Sequence, residues 1–324
     1  MATTVLVERG FSRMEIVEFM KKADSGLTVY GTHEQPYEDC PTVMLPPLET
    51  PEGIAQANAL IAKHGIDAFW PQKSAEYDLS RLDCAVHTAA DPATIALVND
   101  KERFAAWLDD DIYRARSVGV LGADGVAEAI RDWRATDRPV CVKPVDGIYG
   151  QGYWRLVENG VSLLDEPSGR EISPNLYLAA LRSEELVTGR RRMLVMDWLP
   201  GPEVSVDMLS WHGRPLIHAA RTKLSDSLQR IESEHPVIGH ARAMVGKLGL
   251  HGVTSMQYRM SLQGDWKMLE VNPRPAGGSI NGEDAGFGLL AAWARLLTGS
   301  VGPDDIKQVD ATVDLRISRM ATIT

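Results

Sequence analysis

Cysteine is scarce in this sequence. Cys40, Cys84 and Cys141 are odd in number and widely spaced, so neither a disulfide framework nor a metal-ligand pair is indicated. Cys141 lies in an apolar run and reads as a packing residue. Long apolar runs are also missing: no stretch approaches the roughly 18–20 residues that a membrane-spanning helix needs. The opening MATTVLVERGFS lacks a basic segment followed by an apolar core, so no export leader is expected, and a cytoplasmic protein is. Basic residues are outnumbered 34 to 44, leaving a formal charge of -10. That balance argues against broad binding to nucleic acid, but leaves room for a local basic pocket that takes an anionic small molecule. No G-x-S-x-G elbow occurs, and His235, His240 and His251 show no metal-ligand spacing, so they read as solvated or structural.

What is present first is strand–helix alternation. TVLVE, LTVYG and IDAFWP read as buried strands, with SRMEIVEFMKKA and TPEGIAQANALIAKHG as the helices between them. Thr50 is a cap-type residue, Pro51 suits a first turn and Gly65 a helix end. Such alternation predicts a mostly parallel sheet covered by helices. DPATIALVNDKERFAAWLDD reads as one further helix. A second α/β pattern follows, with EVSVDML, PLIHAA, VTSMQYRM and WKMLEVN as later strands and LLAAWARLLTG as a late helix. Glu158 to Gly189 has the weakest pattern and reads as a mobile insertion.

Two segments carry chemistry. In VCVKPVDGIYGQGYWRL, Lys143 ends an apolar strand, Gly147, Gly150 and Gly152 follow, and another strand begins. A Walker loop and a dinucleotide fingerprint both need a helix after the glycines, so both are rejected. A hairpin whose amides close over phosphate remains, with Lys143 as a point charge. Taken alone, the segment fits a plain hairpin with a surface lysine equally well. In KMLEVNPRPAGGSINGEDAG, Glu270, Asn272 and Arg274 occupy alternate positions and so share one strand face, about 6.5–7 Å apart. Magnesium takes oxygen ligands at about 2.1 Å and prefers one or two carboxylates plus phosphate oxygens. For Glu270 alone, an ordinary ion pair and a metal ligand are comparable readings; Asn272 and Arg274 beside it favour the metal. Gln257 on a neighbouring strand offers another oxygen. Glu283 and Asp284 read as a surface turn, the alternative being that one of them, or Ser279 or Asn281, meets an acceptor substrate.

With the order VCVKPVDGIYGQG, MDWLPGPEVSVDML, then MQYRM and MLEVNPRP, and with DPATIALVNDKERF ahead of them, the sequence resembles the ATP-grasp superfamily, in its carbamoyl-phosphate-synthetase-like and carboxylate–amine ligase branch. The resemblance covers nearly the whole chain. It implies an α/β fold with an α+β lid: an N-terminal parallel-sheet domain at 1–97, a linker helix and lid at 98–195, and a C-terminal ATP-grasp subdomain at 196–324.

By that resemblance Lys101 and Lys143 bind nucleotide, with Gly147, Gly150 and Gly152 in the lid loop. Met196, Asp197, Trp198 and Leu199 form the hinge that meets adenine, Asp197 standing where many members have Glu. Glu203 holds the ribose, and Arg221 or Lys223 supplies a further phosphate-binding cation. Gln257, Glu270 and Asn272 hold magnesium, with manganese as the alternate ion. Arg274 and Lys143 act on the transferred phosphate. The implied reaction is ATP-dependent joining of a small carboxylic acid to an amine through an acyl phosphate, releasing ADP and phosphate. A kinase- or carboxylase-like enzyme with a non-amine acceptor, or a regulatory ATP-binding protein, is the alternative. Implied partners are small molecules, with neither nucleic acid nor membrane, and a homodimer is the assembly allowed for.

Overall fold

The computed structural model describes residues 2–8, 15–32, 40–108, 112–136, 138–146, 151–158, 170–225 and 227–317. The chain divides into two compact units. One comprises Met1–Ala96, Pro202–Tyr258 and Val271–Thr324, the other Leu97–Gly201 and Arg259–Glu270.

The first unit begins with β1 (Thr3–Val7), α1 (Glu15–Ala23), β2 (Leu27–Thr32), β3 (Thr42–Val43), α2 (Pro51–His64), β4 (Ala68–Trp70) and β5 (Ala85–Val86). These strands form a parallel sheet in the order β3-β2-β1-β4-β5. Its central strands are buried, which is why VLV and AFW are apolar throughout rather than alternating. The ends of α2 follow the sequence: Thr50 accepts the Gly53 N–H at 3.0 Å, Pro51 opens the helix, and Gly65 closes it in the left-handed region.

The second unit holds most of the middle of the chain. The expected single helix there is two, α3 (Pro92–Asn99) and α4 (Lys101–Trp107), because Asp100 leaves helical geometry and caps α4, accepting N–H bonds from Glu102 and Arg103. Then come β6 (Ser117–Leu121), α5 (Gly122–Arg134), β7 (Val140–Pro144), β8 (Trp154–Leu156), β9 (Glu171–Ile172), α6 (Pro174–Thr188) and β10 (Arg192–Asp197). The sheet order is β6-β10-β7-β8-β9, with β10 antiparallel to both neighbours. The expectation of a mobile insertion to Gly189 is corrected: α6 fills 174–188, capped by Ser173 and burying Tyr177 and Leu181 against the α5 face. Residues 159–169 lie outside the described residues.

The remaining elements are β11 (Glu203–Trp211), β12 (Arg214–Ser225), β13 (Leu228–Glu232), α7 (Ile238–Leu248), β14 (Gly252–Met260), β15 (Trp266–Asn272), α8 (Ile280–Asp284), α9 (Leu289–Thr298) and β16 (Thr312–Arg316). They build a sheet in the order β15-β14-β11-β12-β13-β16, and the division between the units passes through β14 and β15. In the first unit one apolar cluster takes Val17 and Met20 from α1, Ile217 and Ala219 from β12, and Leu290 and Trp293 from α9. Burial of side chains this size is worth about 1.5–3 kcal/mol each, so the two ends of the chain stabilise each other. Among the described residues, no helix is long and apolar enough to cross a membrane.

Histidines also contribute to this core. His87, after β5, meets His251 with Nδ1 and Nε2 3.2 Å apart, and the His212 ring stacks on His251 at 4.1 Å. Trp211 and Trp293 close around them edge-on. Burial, then the charge of neighbouring imidazoles, lowers the His87 pKa and takes that of His251 to about 3. Unfolded imidazoles take up a proton near pH 6.5 and these resist it, so stability is complete above about pH 6.5 and is lost as pH falls from there towards the folded values. Urea midpoints measured at pH 7.5 and 5 will fall with acid in the wild type, and His251→Asn will show a smaller fall.

Candidate active site

In the second unit, β7 delivers Lys143 and α4 delivers Lys101. Lys143 is half-buried on a strand whose preceding residues pack inward. Desolvation lowers its pKa; Glu270 on β15 opposes that shift and Lys101 adds to it. The structure thus brings two ammonium groups and one carboxylate within electrostatic reach of one another. The Lys101 ammonium donates to the Val145 carbonyl at 3.4 Å. Gly152 has φ +68°, and a β-carbon there would lie 2.7 Å from the Pro144 ring, so the hairpin needs glycine at that point. Gly147 and Gly150 lie outside the described residues.

The 196–199 segment follows from β10. Met196 and Leu199 are buried with Ala115, Cys141, Val145 and Leu194, while Trp198 lies under the Arg155 guanidinium at 3.6 Å. Asp197 turns its carboxylate to Trp133 Nε1 at 2.9 Å and Arg138 Nη1 at 2.8 Å. Its side chain therefore anchors the segment to α5 and the start of β7. Cys141 is buried as expected, and burial raises its thiol pKa to about 11, which makes it a packing group.

In the first unit, the two cations left open by the sequence are distinguished. Lys223 is exposed and reaches Glu203 at 3.4 Å. Arg221 is buried and grips Asp207, through Nε at 2.5 Å and Nη2 at 3.3 Å. Ser279 donates to the same carboxylate at 2.8 Å and accepts the Ala276 N–H at 2.9 Å. A β-carbon at Gly278 would collide with the Arg221 guanidinium. The turn after β15 is therefore held from below by a buried ion pair. Gln257 on β14, Asn272 at the end of β15, and Arg274 just beyond are all half-buried, and Arg274 Nη1 donates to the Pro275 carbonyl at 3.1 Å.

The surface-turn expectation is corrected for Glu283: it accepts the N–H groups of Leu290 at 2.6 Å and Ala291 at 3.4 Å and so caps α9, while Asp284 is exposed as a turn residue would be. Burial raises the Glu283 pKa against the pull of those N–H bonds. Ser279 and Asn281 are buried, Asn281 donating to Gln229 at 2.9 Å. Sequence reasoning missed Asp207; its signal was a lone acid at an inward position of an apolar strand. Among the described residues, no three His, Cys, Asp or Glu side chains are grouped to hold a metal. The candidate donors are instead one carboxylate and two amides, a set that fits magnesium when phosphate oxygens complete its shell.

The two cations will separate in stability. Arg221→Met strands the Asp207 carboxylate in the interior and will destabilise by about 3–5 kcal/mol. Lys223→Met breaks an exposed pair and will cost about 0–1 kcal/mol. Urea unfolding of both variants beside the wild type measures the difference.

Residues 189–323 match the family described as "ATP-grasp in the biosynthetic pathway with Ter operon". No curated protein matches the chain in sequence. Among solved structures, biotin carboxylase from Campylobacter jejuni superposes with a TM-score of 0.64 at 12% identity, over 94% of this chain and 73% of its own. The L-amino acid ligase from Bacillus licheniformis gives 0.64 at 14%, over 94% and 77%. D-alanyl-alanine synthetase A from Vibrio cholerae gives 0.63 at 13%, over 92% and 98%. At such identities the likeness is one of fold, and it spans both units. The ATP-grasp family match is confined to the C-terminal part of the chain, and over its whole length the likeness is to the fold of these enzymes.

Proposed function

We propose that this chain is an ATP- and magnesium-dependent ligase that activates a small carboxylic acid as an acyl phosphate and joins it to an amine. The observation that carries the reading is the grouping of Lys101, Lys143 and Glu270, two cations and a carboxylate on half-buried strand and helix ends. Phosphoryl transfer demands charge neutralisation and alignment more than covalent help from the protein. Lys101 and Lys143 meet the first demand at the nucleotide phosphates. Glu270, with the side-chain oxygens of Asn272 and Gln257, would hold magnesium, which when bound supplies further neutralisation of phosphate charge. Met196 to Leu199 offer backbone groups to adenine, and Glu203 a carboxylate to the ribose.

The chemistry is balanced in two steps. A substrate carboxylate oxygen attacks the terminal phosphorus, the bond to the bridging oxygen breaks, and ADP leaves. The amine nitrogen then attacks the acyl carbon, the carbon–oxygen bond to phosphate breaks, and the nitrogen loses a proton. Arg274 stabilises phosphate charge in both steps. The hairpin that includes Gly152 excludes water from the acyl phosphate. An L-amino acid ligase and a D-alanyl-alanine synthetase on the same fold support an amine acceptor. A structure of that fold from Hydrogenobacter thermophilus holding MgADP supports the nucleotide and metal. Biotin carboxylase, with an equal TM-score, favours a non-amine acceptor as the second reading.

The test is ADP release in the presence of pooled carboxylic acids and amines, with mass spectrometry of the coupled product. ADP, phosphate and an amide are expected; AMP and pyrophosphate would overturn the acyl-phosphate route. Glu270→Gln will lower turnover by about 10²–10³-fold, the scale for losing one preorganised charge-stabilising group, while its unfolding midpoint stays near that of the wild type.

A further inference from the structure

Lys101 sits between two acids, Asp100 and Glu102, at the start of α4. Two negative charges one residue away attract its ammonium, and its flexible stem can follow them. They also repel any phosphate that Lys101 is meant to hold. Both carboxylates are taken by one residue, Arg192, at the start of β10. Its Nη1 donates to Asp100 Oδ2 at 2.9 Å, and its Nη2 reaches Asp100 Oδ1 at 3.4 Å and Glu102 Oε2 at 2.5 Å. Asp100 Oδ1 also accepts the Glu102 and Arg103 N–H groups at 3.1 and 3.0 Å, so the carboxylate that caps α4 is the one that Arg192 grips.

The neighbouring strand makes room for this arrangement. The Glu102 carboxylate lies over Gly119 of β6, where any β-carbon would run into it. Burial by itself would raise the Asp100 pKa, but the Arg192 and N–H bonds outweigh it and hold the carboxyl below the ordinary range. Arg192 is 51% exposed, and an exposed ion pair adds little to folding stability. The Lys101 ammonium is turned to the Val145 carbonyl, and its charge is felt by Lys143.

We infer that Arg192 is a positioning residue for nucleotide binding: by holding and neutralising Asp100 and Glu102, it keeps Lys101 directed at phosphate instead of at its own neighbours. The inference rests on the assignment of Lys101 as a nucleotide ligand under the proposed function.

Calorimetric titration of the full chain with MgADP tests it, at fixed ionic strength, in four proteins besides the wild type. Lys101→Met and Arg192→Met should each weaken binding by about ten-fold, the scale of one charge–phosphate contact. Asp100→Asn keeps a capping oxygen and Glu102→Gln keeps its shape. Adding both to Arg192→Met should therefore restore most of the lost affinity, which a merely structural role for Arg192 would not do. In a Lys101→Met background, Arg192→Met should change affinity by much less than it does alone. Wild-type affinity in Arg192→Met, or a triple variant as weak as Arg192→Met, would overturn the positioning role and leave the ligase reading standing. Wild-type affinity in Lys101→Met would overturn the nucleotide assignment of that residue, and this inference with it.

Discussion

In a chain rich in carboxylates, a cation stays available only where the acids around it are already held by other groups. That constraint runs through this molecule. Lys143 is short of water and faces Glu270, so its charge is both costly and partly compensated. Lys101 is bracketed by acids that a third residue, Arg192, occupies. Arg221 is committed to Asp207 and to the support of a turn, and Lys223 is shared with Glu203. In a chain with a formal charge of -10, placing positive charge at one locality requires such pairings to be arranged residue by residue.

The same pairings tie local structure to packing. Asp100 ends one helix, starts another and accepts from Arg192. Asp207 lies under the turn after β15 and fixes Ser279 and, through it, Ala276. Glu283 caps α9, whose Leu290 and Trp293 join the core that also takes α1. A polar group in each case sets the position of an apolar element, because a buried carboxylate tolerates few arrangements of its donors.

Most of the scaffold was legible in the order of residues. The Thr50–Pro51–Gly65 signals mark α2, and unbroken apolar runs mark the buried parallel strands. Alternation put Glu270 and Asn272 on one face of β15. The expected single helix across Asp100 failed because aspartate inside an amphipathic pattern is equally compatible with a solvated helix face; what makes it a cap is the guanidinium waiting on β10. Helix α6 was missed since its pattern is weak and its burial depends on α5, a partner some fifty residues earlier. The stacking of His251 with His87 and His212 joins positions far apart in the chain, which no local pattern marks.

By itself the sequence determined the α/β class, the hairpin behind Lys143 and the shared face of Glu270 and Asn272 on β15. These are local or strictly periodic features, and backbone geometry turns them directly into shared faces and turns. Only the tertiary structure decided which acid meets which base. Arg221 and Lys223 are two apart on one strand, yet one is buried against Asp207 and the other is exposed beside Glu203. Arg192 reaches across some ninety residues to the flanks of Lys101. Such choices depend on burial and on long-range register, and a carboxylate in sequence has no partner until the sheet has formed.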